Sequence, residues 1–312
     1  MILAVAHEGD DHAPPVLRAL ERLGARVALL DLGLMPRGGG VTLGFGAGAP
    51  RSGLRLPAGR PAWADEVRAV WWRRPTAPRP PEGLSYAEAH HARRQWEAAL
   101  HGFLAGLEAR LINDPWAEDR ASRKPLQLGE AARAGLHVPP TLVTSDPAAA
   151  RAFLDRLGGA PAIAKPLDGT DPAGWTRLLG PADLDRLDGL RTAPVVLQAY
   201  VPGPDVRITV VGRRLFACEV DARATRSPED WRPVASEARL APCQVPPEVE
   251  RGLRSLMDRL GLACGAADFR VRESDGTWHF LEVNPSGQWL GIEARSGLPI
   301  TEAVATLLAG EA

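Results

Sequence analysis

The 312-residue chain is short of the features that tie a protein to an oxidising compartment, a membrane or a polyanion. Its three cysteines, Cys218, Cys243 and Cys264, are odd in number, widely spaced and form no CxxC pair. This leaves no disulfide framework and fits a reducing cytoplasm. The formal net charge is −1, so no global field favours nucleic acid or a membrane surface. No long uncharged apolar run offers a membrane span. The N-terminus, MILAVAHEGDDH, lacks the basic start and long apolar stretch of a secretion signal. No GxGxxG follows the first apolar run, which removes the dinucleotide fingerprint. No Ser-His-Asp or Cys-His nucleophile arrangement is visible, and no internal repeat occurs. Glycine, with 32 residues, and proline, with 29, are abundant instead. With the richness in alanine and arginine, part of that abundance reflects genome base composition rather than architecture.

The length suffices for a large core and two or three domains. Ile2–Ala6 and Arg26–Leu32 read as strands on either side of a helix from Pro15 to Leu23. In that helix Val16, Leu17, Leu20 and Leu23 recur at helical spacing, and Gly24 closes it. Such a β-α-β opening predicts a parallel sheet with helices packed on it. The acidic HEGDDH stretch, residues 7–12, reads as a solvated loop rather than a metal cluster. Short strands are predicted at Val41–Phe45 and Gly53–Leu56. A buried strand at Val67–Trp72 ends in Arg73-Arg74-Pro75. A long helix over Tyr86–Leu107, with its AHHARRQ patch on a solvated face, and a strand at Arg110–Ile112 complete a first α/β domain, residues 1–112.

A central segment, 113–193, reads as a helix from about Ser122 to Gly135 with Pro125 in its first turn, an extended Val138–Val143, a helix from Pro147 to Gly158, and a strand Ala162–Pro166. A loop and a short helix from Pro181 follow. The last segment, 194–312, holds a strand Val195–Tyr200, an antiparallel pair Asp205–Val211 and Leu215–Asp221, an amphipathic helix Pro247–Leu260, a hairpin and a closing helix Ile300–Leu308.

The hairpin, in GAADFRVRESDGTWHFLEVNPSGQWLGIE, organises the rest. Apolar-rich runs Ala267–Arg272 and Thr277–Val283 flank Ser274-Asp275-Gly276. A three-residue loop with Gly276 at positive φ centres the pairing on Asp275 and sets Asp268 opposite Glu282. Alternation then places Asp268, Glu282 and Asn284 on one face, and Phe269, Val271, Leu281 and Val283 on a core face. A two-residue Asp-Gly turn would shift the register and separate Asp268 from Glu282. Two carboxylates and an amide oxygen suit a hard cation such as Mg²⁺, which takes few protein ligands and shares its shell with phosphate. A solvated acidic edge is the alternative, but Asp268 and Glu282 interrupt otherwise apolar strands, where an unpaired charge is costly.

Lys165, inside AIAKP, must be paired or meet a ligand anion. Lys124, at a helix start, is a second phosphate candidate. With the downstream metal triad, the two lysines point to a nucleoside triphosphate bound with Mg²⁺. Gln198, Ala199, Tyr200 and Val201 offer an apolar slot and backbone groups to a purine, although an ordinary core strand has the same look. Asp205 and Arg207 share a face, and the Arg207 fork can steady a phosphoryl group.

These residues, in this order, resemble the ATP-grasp pattern over residues 113–312. VWWRRP (70–75), KPLQL (124–128), VPPTLVTSDP (138–147), DVRITVVGRRLFA (205–217), DWR (230–232) and DFR…FLEVNPSGQWLGIE (268–293) extend the resemblance over essentially the whole chain, to the graspetide synthetases, microviridin-type ATP-grasp peptide maturases. The chain departs from that pattern at Gly203, where a lysine is often found nearby, and at Ala222, where serine is common. Both departures bear on substrate handling rather than on ATP binding.

The resemblance implies an ATP-grasp fold, with ATP held between two α+β subdomains (113–193 and 194–312) behind an N-terminal α/β domain. It implies ATP and Mg²⁺ as cofactors, with Lys124, Lys165, Gln198–Val201 and Asp205 at the nucleotide and Asp268, Glu282 and Asn284 at the metal. Arg207, and second to it Arg270, would stabilise an acyl phosphate and its tetrahedral adduct. Arg73, Arg74, Asp230 and Arg232 would contact a peptide, or else form structural salt bridges. The implied partner is a ribosomal precursor peptide with leader and core, and homodimers are common in the family. The implied reaction activates a side-chain carboxylate and closes a macrolactone or macrolactam. An intermolecular ligase using the same ATP site is the alternative. A nucleotide-binding partner protein without turnover is the alternative of another class, and a kinase ranks last.

Overall fold

A computed structural model describes residues 1–168 and 176–310. The chain divides into two compact units, Met1–Trp116 with Pro299–Ala312, and Ala117–Leu298. Part of the loop expected after residue 168 lies outside the described residues, while the short helix from Pro181 is present as Pro181–Leu184. Among the described residues no helix is long and apolar enough to cross a membrane.

The N-terminal unit contains β1 (Ile2–Val5), β2 (Val27–Leu30), β3 (Gly40–Thr42), β4 (Gly53–Arg55), β5 (Pro61–Trp63), β6 (Ala69–Trp72) and β7 (Arg110–Ile112). Strands β2, β1, β6 and β7 form a parallel sheet in that order. Every residue of β1 is buried, as a strand covered on both faces requires. Helix Ala13–Arg22 buries Val16, Ala19 and Leu20, and the closing helix Ile300–Ala309 packs on that helix and on β6. The last helix therefore belongs with the N-terminal unit. Strands β3, β4 and β5 make a small antiparallel sheet. β5 has no counterpart in the sequence reading, because three residues opened by a proline carry no periodicity.

The loop after β1 is not the solvated loop its composition suggests. Asp10 and His12 are buried. Asp10 Oδ1 accepts the backbone N–H groups of His12 at 2.9 Å and Ala13 at 3.1 Å, which caps the first helix. Its Oδ2 lies 3.3 Å from Arg73 Nε, just beyond β6.

The second unit contains β8 (Thr141–Thr144), β9 (Ala162–Lys165), β10 (Arg177–Leu178), β11 (Val195–Ala199), β12 (Asp205–Val211), β13 (Arg214–Asp221), β14 (Arg239–Pro242), β15 (Cys264–Val271) and β16 (Trp278–Asn284). They form two antiparallel sheets, β10-β9-β11-β8 and β14-β13-β12-β15-β16. Strand β11 thus joins the sheet of the central segment. Helix Pro147–Arg156 covers the first sheet, with Phe153 in a cluster with Ala164 and Leu197. Helices Lys124–Arg133 and Pro247–Leu260 cover the second, where Leu253, Leu256 and Leu260 meet Ile208, Phe269 and Phe280. Helices Pro115–Ala121 and Leu290–Ser296 and strand β14 escape the sequence reading, being too short for an apolar period to register.

The hairpin reaches the expected pairing by an unexpected route. Asp268 faces Glu282, but Val271 faces Trp278, and the register shifts between Asp268 and Phe269. The loop closes with Arg272 N–H on the Thr277 carbonyl at 2.8 Å, so it is one residue longer than the three-residue loop read from the sequence. A bulge at Leu281 absorbs the extra residue and restores Asp268 to Glu282. The bulge also changes the faces. Phe280 enters the core, and Leu281, expected there, lines a cleft instead.

Candidate active site

A cleft within the second unit is lined from both sheets. Ile163, Lys165, Gln198 and Ala199 come from the four-stranded sheet, Tyr200 and Val201 from the segment that follows β11, and Asp205, Asp268, Arg270, Leu281 and Glu282 from the five-stranded sheet. Lys124, at the N-terminus of helix Lys124–Arg133, and loop residues Asp230, Trp231 and Arg232 complete the wall. Most residues that the sequence singled out therefore converge, although Lys124 and Glu282 lie 158 positions apart in the chain.

The charges are placed by strand register. Arg207 on β12, Asp268 on β15 and Glu282 on β16 are successive cross-strand neighbours. Arg207 grips Asp268 with both ends of its fork, Nε to Oδ1 at 2.8 Å and Nη2 to Oδ2 at 2.7 Å. Glu282 stands opposite Asp268, and like charges so placed repel. Cations offset the repulsion. Lys124 Nζ lies 3.5 Å from Glu282 and donates to the Pro166 carbonyl at 3.1 Å, and Arg232 lies 4.0 Å from Glu282. One rung further, Arg270 faces Asp205 at 3.2 Å, donates to the Pro228 carbonyl, and stacks its guanidinium 5.0 Å from the Tyr200 ring centroid.

Electrostatics follow from this crowding. Burial alone would push the Glu282 carboxyl up, but Lys165, Lys124, Arg232 and Arg207 outweigh it and hold Glu282 below the usual carboxylate range. Burial lowers the pKa of Lys165, and the charges of Lys124 and Arg232 add to the effect, against the attraction of Glu282. Burial pushes Asp205 up to about 7, although Arg270 pulls it the other way.

The carboxylate pair fits a hard divalent cation. Each Asp268 oxygen that accepts a guanidinium bond keeps further acceptor capacity, and Glu282 is held ionised. Among the described residues no group of three or more His, Cys, Asp or Glu side chains forms a complete metal cage. Two protein carboxylates suit a cation that completes its shell from phosphate and water. Asn284, the third expected ligand, shares the Glu282 face but is exposed and outside the cleft lining.

Other predicted site residues take different places. Arg207 does not line the cleft. It lies behind Asp268 with Trp231 over its guanidinium, 4.8 Å from the ring centroid. Asp230 holds Arg232 through two bonds, at 2.8 and 2.6 Å, and accepts the Thr176 N–H at 3.3 Å. Arg73 and Arg74 belong to the N-terminal unit. Arg73 is buried against Asp10, and Arg74 is exposed with φ at +43°. Gly203, a departure from the family pattern, is dictated by geometry. Its φ is +144°, and a Cβ there would fall 1.8 Å from the Val271 carbonyl oxygen.

Sequence reasoning missed three contributors. Trp231 was only part of DWR. Leu281 reaches the cleft through the bulge. Gln127, inside KPLQL, is buried, and its amide pairs both backbone groups of Val283. Nε2 donates to the Val283 carbonyl at 2.8 Å, and Oε1 accepts its N–H at 2.9 Å. This ties the helix that carries Lys124 to the strand that carries Glu282. A glutamine on the apolar face of a helix was the available signal.

Comparisons with known proteins agree with this fold. No family model matches the chain. The ribosomal protein bS6–L-glutamate ligase of Escherichia coli is 29% identical over 202 residues, 61% of this chain and 64% of that protein. The macrocyclase MdnC of Microcystis aeruginosa, solved with the precursor peptide MdnA, superposes with a TM-score of 0.87 at 27% identity, covering 100% of both chains. The ATP-grasp ligase PsnB, solved with a phosphomimetic variant of a minimal precursor, Mg and ADP, gives 0.79 at 26% identity, covering 99% of this chain and 98% of that one. The chain is an ATP-grasp protein of mixed α/β architecture, and within that superfamily it resembles the macrocyclases of ribosomal peptides.

Proposed function

We propose that the chain is an ATP-dependent carboxylate ligase that closes side-chain ester or amide rings in a ribosomal precursor peptide, with ATP and Mg²⁺ bound in the cleft. The observation that carries this reading is the convergence of Lys124, Lys165 and Arg232 around the Asp268–Glu282 pair. A triphosphate brings several negative charges, and here the chain gathers cations around the Asp268–Glu282 pair.

Lys124 and Lys165 neutralise phosphate oxygens, a role that suits a lysine buried at a strand end. Asp268 and Glu282 would hold Mg²⁺, which offsets charge on the transferring phosphoryl group. A substrate carboxylate oxygen attacks the γ-phosphorus, the bond to the bridging oxygen breaks, and ADP leaves. A hydroxyl or amine of the peptide then attacks the acyl carbon, loses its proton and expels phosphate. Arg207, with both ends of its fork on Asp268, holds that carboxylate in place. Leu281, Trp231 and Tyr200 limit access of water to an acyl phosphate that hydrolysis would waste.

Alignment to MdnC and PsnB over nearly the full chain supports a peptide substrate and ring closure. A second reading, transfer of an amino acid to a separate carboxylate, is favoured by the glutamate-ligase relatives. Hydroxylamine trapping tests the chemistry common to both. Incubation with precursor peptide, ATP, Mg²⁺ and hydroxylamine should yield a peptide hydroxamate and stoichiometric ADP. ADP release without hydroxamate would remove the acyl-phosphate route.

A further inference from the structure

One stretch of the cleft wall comes from neither sheet. Asp230, Trp231 and Arg232 belong to the connection between β13 and β14, residues 222–238. Connections longer than about 12–15 residues are uncommon in compact folds, and a side chain carried on one keeps its place only if the backbone beneath it is tied down. The front half is tied by contacts already described: Pro228 by Arg270, Trp231 by Arg207, and Asp230 by Thr176.

The rear half winds into a 3-10 turn, Arg232–Val234. Asp230 Oδ1 accepts the Arg232 N–H at 3.1 Å, which closes the start of the turn. At its end the Val234 carbonyl accepts the N–H groups of Glu237 at 2.8 Å and Ala238 at 3.0 Å. The carbonyls of Ala235 and Ala238 lie past these bonds, as the acceptors that a helical turn leaves over. Arg295 meets both of them. Its Nη1 donates to the Ala235 carbonyl and its Nη2 to the Ala238 carbonyl, each at 2.5 Å.

Arg295 stands on helix Leu290–Ser296, which follows β16 after one short segment. The stretch of chain that carries Glu282 thus also carries the group that holds the far end of the Arg232 turn. Asp230 takes Nε and Nη2 of Arg232, and Nη1 stays 4.0 Å from Glu282, beyond hydrogen-bond reach. An arginine on a loose loop would close on that carboxylate, and one on a capped turn is held off it. Arg295 itself is exposed, lies outside the cleft lining, and falls beyond the motifs that carried the family resemblance.

We propose that Arg295 is a positioning residue: by capping the turn it fixes the spacing between Arg232 and Glu282 at which a triphosphate is held. The inference rests on the nucleotide reading above and deepens it. Arg295 touches no substrate and acts only through Arg232.

The test is calorimetric titration of the full chain with ATP and Mg²⁺, with thermal unfolding measured alongside. The set is wild type, Arg295→Ala, Arg295→Lys, Arg232→Ala and the double variant Arg232→Ala with Arg295→Ala. Arg295→Ala should weaken ATP binding roughly three- to tenfold, the scale of coupling between groups that share one partner. Its unfolding should stay near wild type, because an exposed side chain leaves no hole in the core. Arg295→Lys should fall between the two, since an ammonium offers no planar fork. In the Arg232→Ala background, Arg295→Ala should weaken binding no further, whereas a merely structural role would weaken it by the same factor in both backgrounds. Equal factors, or wild-type affinity in Arg295→Ala, would overturn positioning through Arg232. Should Arg295→Ala fail to fold, Arg295→Lys compared in the two backgrounds carries the test. Absence of ATP binding in the wild type would overturn the nucleotide reading itself, and the inference with it.

Discussion

Arg73 in the N-terminal unit and Arg207 in the second unit each face a buried aspartate, at 3.3 Å and 2.7 Å. In the first pair the side chains are 2% and 3% exposed, and Asp10 also takes two backbone N–H groups at the start of a helix. Both of its oxygens are engaged by groups of the fold itself. In the second pair the exposures are 11% and 12%, and the row of charge continues to Glu282 at 23% and Lys124 at 14%. Among the described residues Asp268 accepts only from Arg207, and the cations nearest Glu282 lie 3.5 and 4.0 Å away. The same residue types thus do opposite work. A charge tied to the backbone at a helix start organises the fold, and a charge that lines a cleft is available for chemistry.

Substitutions should separate the two. The largest effect is expected from Glu282→Gln, which keeps the shape of the side chain and removes its charge. ATP turnover, read as ADP release, should fall on the order of 10²–10³-fold, while thermal unfolding stays near wild type. Unchanged turnover would remove Glu282 from the metal site. Arg73→Ala should act on stability instead. Stranding Asp10 without its partner is expected to cost about 3–5 kcal/mol in urea unfolding. A variant of normal stability would make the pair dispensable to the fold and return Arg73 to the role of a peptide contact. Gln127→Leu lies between the two, since it leaves both backbone groups of Val283 unpaired beside Glu282. A loss of about 1–3 kcal/mol is expected, together with weaker nucleotide binding as Lys124 and Glu282 lose their fixed spacing.

The smallest effect concerns pH. Burial, and then the charge of Arg73, lower the His12 pKa from 6.5 to about 4. The unfolded chain therefore binds a proton that the folded chain refuses. Stability should be fully present above pH 6.5 and decline as pH falls toward 4. His12→Gln should flatten the melting temperature over that window. An identical slope in the variant would place the pH response elsewhere.

Much of this was legible in the sequence, for physical reasons that differ by region. Long periodic elements were plain: helix Pro247–Leu260 and strand β12 fall where the pattern puts them. The pairing of Asp268 with Glu282 was also legible, yet through a loop one residue short and a bulge left out, two errors that cancel. A bulge has no composition of its own, so Leu281 was assigned to the core. The buried loop at Asp10 was hidden because acidity reads as exposure until a helix start and Arg73 are placed beside it. Trp231 and Gln127 were hidden because their partners, Arg207 and Val283, lie far away in sequence.

The intact mass of a precursor peptide, after incubation with the chain, ATP and Mg²⁺, tests the central claim most directly. The account expects loss of one water per ring, matched by one ADP and one phosphate, and no loss of water in Glu282→Gln. A gain in mass equal to an added amino acid would contradict ring closure and assign the cleft to intermolecular ligation.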